Sequence, residues 1–176
     1  MKKIDTVTGN ALFLNGLALT IAIIAYLFIY RGLWQIIPPA WAKVPAIIYL
    51  IFLAVGILLL HEAIHMLTAN LLTGGAGATL RVRALTWECR LKIPLRRNHY
   101  IAYALAPGIT LSLLGFVLYY AFSDPGVKFL CAIAFIAAIS SAGGDYWFVA
   151  KALRFPRNSL VLDHGIEMEI MAPDED

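Results

Sequence analysis

His61-Glu62-Ala63-Ile64-His65 is the stretch of this chain whose residue types and spacing could do chemistry. On a helix, side chains four apart share a face, so His61 and His65 can converge on one metal ion. Glu62 is rotated one helical step from them. It can reach a water held by that ion, which is the position of a general base. A catalytic zinc normally takes three protein ligands and keeps a fourth position open. Asp145 is the candidate third ligand, because it and Glu62 are the only acidic residues inside the long apolar runs. No Lys or Arg lies in the interior of those runs; Lys128 and Lys151 stand at the two ends of the last one. A charge near a bilayer centre costs about 2.5–3.5 kcal/mol, so such residues usually serve a purpose and have partners. The blander alternatives are histidines satisfied by backbone or hydroxyl groups, and an aspartate that caps or pairs structurally.

The elements that must position these groups follow from composition. Of 176 residues, 61% are hydrophobic and 14% charged, and the mean hydropathy is +0.77. Soluble domains run nearer 45–50% apolar and about 25% charged. Those numbers exclude an ordinary soluble domain, a disordered chain and a collagen-like fibre. Two cysteines, Cys89 and Cys131, cannot make a disulfide framework. A net charge of +3, with basic residues in short loops, speaks against a nucleic-acid surface. The expected architecture is an all-α integral membrane protein, a single membrane domain over residues 1–176. Its four spans are placed at about 11–30, 45–72, 100–122 and 127–153. The first is too long and apolar for a signal peptide and lacks a cleavage site.

Basic residues set the expected orientation. Lys2, Lys3, Arg81, Arg83, Arg90, Lys92, Arg96, Arg97, Lys151, Arg154 and Arg157 fall on one side, against Arg31, Lys43 and Lys128 on the other. Both termini, the loop 73–99 and the tail 154–176 are therefore expected in the cytoplasm, with Trp34, Pro38, Pro39 and Trp41 in an outer interfacial loop. Within the middle loop, Leu80–Arg83 and Trp87–Ile93 alternate apolar and polar residues, as does the tail from Leu160 to Met171. That period marks half-buried strands, so a small cytoplasmic hairpin or sheet is expected between the second and third spans.

Depth supports a shared site. His65 lies seven residues before Leu72 and Asp145 six before Lys151. At about 1.5 Å per residue each sits roughly 10 Å from the cytoplasmic end of its helix. Ala134, Ala138, Ser141 and Asp145 share one face of the fourth span beside Gly143 and Gly144, which permits close helix approach. Pro107, at matching depth on the third span, frees the carbonyl of Tyr103 and is expected to kink the helix, beside a polar cavity or merely as a bundle kink.

A membrane-embedded H-E-x-x-H, a strand region after it and a distant aspartate on a later span resemble the site-2 protease class of intramembrane zinc metalloproteases. The chain is more closely similar to a family of short bacterial membrane proteins, the putative zincin peptidases. His61–His65, Tyr103–Gly108, Gly144-Asp145 and Arg154-Phe155-Pro156 carry that resemblance. It implies that His61, His65 and Asp145 bind Zn2+ and that Glu62 is the catalytic acid-base. Better-known site-2 proteases carry an Asn-x-x-Pro segment before an Asp-Gly; here Gly143-Gly144 precede Asp145 and Tyr146 follows. Ser140, Ser141 and Asn70 are the candidates to replace the missing asparagine in holding substrate or oxyanion, or they pack and cap.

The expected function is hydrolysis of peptide bonds in membrane or membrane-adjacent protein substrates, with the bilayer itself the other partner. Two further classes remain open on the sequence. One is a metal or proton transporter built on the same buried groups. The other is a non-catalytic binding protein whose zinc takes a fourth ligand from Cys89, His99 or His164.

Overall fold

Away from water, a backbone must satisfy its own hydrogen bonds, and a long apolar run does so as a helix. The runs after Pro45 take that form. The computed structural model describes residues 2–9, 16, 18–20, 23, 45–75, 77–83 and 86–172. Helix α1 spans Pro45–Thr73 and ends where Gly74 and Gly75 take positive φ of 75° and 117°. Helix α2 spans Arg97–Ala121 with Pro107 inside it. Helix α3, Pro125–Ser141, starts on Asp124, whose side chain accepts from the Val127 N–H, with Pro125 at the first helical position. Helix α4 spans Gly143–Ala152.

Among the described residues, three stretches, Ile51–Thr73, Arg97–Ala121 and Pro125–Ala152, are long and apolar enough to cross a membrane. Their outward faces present Phe52, Leu71, Leu113 and Tyr120, all more than half exposed in the isolated chain. The expected first span and the Trp34–Trp41 loop lie almost wholly outside the described residues. Ala18, which is described, lies with its backbone against Gly143, 3.2 Å from where a Cβ would stand.

The run expected as one helix over 127–153 is divided at Ala142, with φ −80° and ψ 5°. The cause is local. Ser140 and Ser141 turn their hydroxyls back onto the carbonyls of Ile136 and Ala138, and two glycines follow.

Nor is the protein all-α. Strands β2 (Ala78–Arg83) and β3 (Thr86–Leu91) form the expected hairpin. A second, antiparallel sheet has the order β1-β6-β5-β4, from Lys2–Thr8, Glu167–Ala172, Leu160–Asp163 and Leu95–Arg96. The middle loop contributes only its two-residue strand. The rest comes from the two ends of the chain. Strand β1 has no apolar alternation to announce it and is set by its partner β6, to which Lys3 also pairs through Glu169 at 2.7 Å. The shared sheet places the amino end, the middle loop and the tail on one side of the helices. The main core lies there too, where Tyr100, Tyr103 and Phe148 meet Val161, Met168 and Ile170.

Candidate metal centre

His61 and His65 sit one turn apart on α1 and are 4% and 5% exposed. Asp145 lies in the first turn of α4, just past the helix break. The three side chains converge. His61 Nε2 lies 3.0 Å from Asp145 Oδ2, His65 Nε2 3.3 Å from Oδ1, and the two Nε2 atoms 3.1 Å apart. Zinc–ligand lengths of about 2.0–2.1 Å place neighbouring tetrahedral ligand atoms about 3.3 Å apart. Donor types and spacing both fit a divalent ion. Among the described residues this is the group of His, Cys, Asp and Glu side chains close enough to hold one.

The remaining ring nitrogens fix the tautomers. His65 Nδ1 lies 3.2 Å from the Tyr103 carbonyl, which can only accept, so Nδ1 carries the proton. His61 Nδ1 lies 3.3 Å from Ser141 Oγ. The Ser141 proton is spent on the Ala138 carbonyl at 3.0 Å, so that oxygen accepts from His61. Both Nε2 atoms therefore present lone pairs to the same point. Such outer partners orient metal-binding histidines and raise their basicity.

Close helix contact makes this possible. At Gly108, a Cβ would stand 2.8 Å from the Ala142 Cβ and 2.9 Å from the Tyr146 hydroxyl. Only glycine lets α2 approach the break between α3 and α4 there. The Tyr103 ring also packs on the His65 ring, with centroids 4.7 Å apart.

A cavity of about 160 Å³ adjoins the three ligand candidates and Glu62. Glu62 lines the same cavity, and its Oε2 accepts from the Cys89 N–H at 2.6 Å. The Lys92 N–H, by contrast, reaches the Gly77 carbonyl across the hairpin. The alternation of an antiparallel ladder then points the peptide groups of Trp87, Cys89 and Leu91 away from β2. That free edge of β3 borders the cavity.

Other expected residues fall elsewhere or take other work. Asn70 accepts from the Gly77 N–H and closes the turn after α1, while Ser140 only bonds back into its helix. Ser141 is in the cavity wall, but as the partner of His61. His99 is exposed, and His164 lies 4.0 Å from Glu169. Burial pushes the Cys89 thiol up to about 12, so it keeps its proton and packs in the core.

Asp163 was not singled out. It is 7% exposed, lines the same cavity, and accepts from the Tyr100 hydroxyl at 3.1 Å and the Gly165 N–H at 2.7 Å. Burial raises its carboxyl to about 7. An acid on the inward parity of Val161 was the available signal. Gly165, with φ 92°, turns the chain before β6 and shifts the inward set to Met168 and Ile170, which hid it.

A buried pair of histidines and a carboxylate, with a glutamate lining the same cavity, matches the donor set of metal-dependent hydrolases of the H-E-x-x-H type. The family described as "Putative zincin peptidase" matches residues 54–160, which include His61, Glu62, His65 and Asp145. The chain belongs to that family. No curated protein and no solved structure matches it. Membership implies zinc as the metal and a zinc metallopeptidase as the broad class.

Proposed function

We propose that this protein is an intramembrane zinc metalloprotease, in the manner of site-2 proteases, that cleaves membrane or membrane-adjacent peptides. The observation that carries the reading is the meeting of His61 Nε2, His65 Nε2 and the Asp145 carboxylate beside Glu62, all within helical stretches that are together long enough to span. His61, His65 and Asp145 hold the metal, and Glu62 is the acid-base. A zinc ion held there would supply Lewis acidity, making a water acidic enough to deprotonate near about pH 7 and polarising the scissile carbonyl. Glu62 takes the proton of the attacking water and delivers it to the leaving nitrogen. The Cys89 N–H holds its carboxylate at the cavity. The free edge of β3 holds the unwound substrate by added-strand pairing. The side that carries the sheet is cytoplasmic, as the excess of Lys and Arg there supports, and the protein is a multi-pass component of the cell membrane.

Glu62→Gln tests the chemistry. Cleavage of a co-expressed membrane substrate should fall by about 10²–10⁴-fold while zinc content is unchanged. Retained cleavage would sink the reading, and metal flux into proteoliposomes by the same variant would favour a transporter.

A further inference from the structure

Pro107 is buried in the interior of α2, where a proline removes one helix hydrogen bond and its ring crowds the carbonyl four residues earlier. That carbonyl belongs to Tyr103. Among the described contacts, its partner is the Nδ1–H of His65 on the neighbouring helix, at 3.2 Å. Tyr103 is itself 1% exposed, so water has little access to substitute as donor. The lost bond within α2 has thus been replaced by one that crosses to α1.

From this coincidence of position we infer that Pro107 is a positioning residue for the metal: it keeps the Tyr103 carbonyl free to hold His65 with Nδ1 protonated and Nε2 directed at the ion. The inference rests on the proposed ligand role of His65 and extends it to a residue that never touches the metal. An ordinary residue at 107 would donate its N–H to Tyr103 along the helix and compete with His65 for the same oxygen. His65 would then be free to rotate or to carry its proton on Nε2, where it blocks ligation. Gly108, the next residue, admits Ala142 and Tyr146 against the same stretch of α2. Helix stability and metal binding should therefore respond to position 107 with opposite signs, which a proline serving only as a kink would not produce.

The test is Pro107→Ala in the full chain, purified in detergent, with His65→Ala alongside. Zinc binding by competition with a chromophoric chelator should weaken about 10–100-fold in Pro107→Ala. The metal-free variant should unfold at the same temperature as the parent or higher, because a helix-interior proline has been removed. In the metal-free parent, ¹⁵N spectra of the histidines should show His65 protonated at Nδ1. Zinc affinity within twofold of the parent overturns the inference, and so does a His65 protonated at Nε2. If Pro107→Ala does not fold, the parent's tautomer decides. Should the parent bind zinc no better than His65→Ala, the ligand assignment fails, while the tautomer still reports separately on the Pro107–Tyr103–His65 link.

Discussion

The cavity has two walls of different make. On the helical wall, the spare ring nitrogens of the two candidate histidine ligands are already tied off. His61 is held by Ser141 and His65 by Tyr103, which leaves only lone pairs directed inward. On the strand wall the groups can change state. Glu62 rests on one peptide N–H of β3, no described strand pairs with that edge of β3, and Asp163 holds its proton near neutrality. Helices locked by cross-helix bonds suit groups that must not move. A strand edge suits groups that must exchange one partner for another during turnover.

Substitutions can break that contrast. The largest effect should come from the helical wall itself. Asp145→Asn keeps the shape but removes the anionic ligand, and purified protein should lose near-stoichiometric zinc by elemental analysis. Retained zinc there would remove Asp145 from the ligand set. Ser141→Ala should weaken zinc binding about 10–100-fold, since it frees His61 to turn without touching the ion. On the strand wall, Cys89→Pro deletes the N–H that holds Glu62 and costs no ladder bond, because that group faces away from β2. Turnover should fall about tenfold with zinc content unchanged, as expected for one charge-assisted hydrogen bond. Zinc loss in this variant would mean that the two walls are not separable.

The smallest effect is one of pH. The Asp163 carboxyl is raised from an ordinary 3.8 to about 7, so the folded state binds its proton more tightly than the unfolded state does. Its stabilising contribution is complete below about pH 4 and is lost as pH rises towards 7. That loss is at most about 1.4 kcal/mol per unit across the window. In metal-free protein, Asp163→Asn should flatten this part of the stability profile in chemical denaturation. An unchanged slope would show that Asp163 ionises freely on the strand wall.

The chemistry-bearing residues were legible because a membrane is a strict filter. Against apolar runs, His61, Glu62, His65 and Asp145 stand out as costs that need a return. Helical spacing paired the histidines, and depth matched them to Asp145. Strands β2 and β3 were legible from period-two alternation. Strand β1 was not, because its two apolar residues, Ile4 and Val7, are three apart and show no period of two, and the segment becomes a strand only against β6. The division at Ala142 was not legible either, since the serine and glycine residues around it also suit ordinary close packing.

What the sequence alone determined is therefore the candidate donor set, the apolar runs that carry it and, through Pro107, a carbonyl with no partner in its own helix. All of these depend on residue type and local spacing, which neighbouring elements do not alter. The tertiary structure decided where the spare bonds go: Tyr103 to His65, Ser141 to His61, the Cys89 N–H to Glu62, and Asp163 into the cavity. Each joins residues from 27 to 80 positions apart or arrives from the far end of the chain. Such partners are chosen by packing, because a buried polar group must be satisfied by whatever the fold brings within reach.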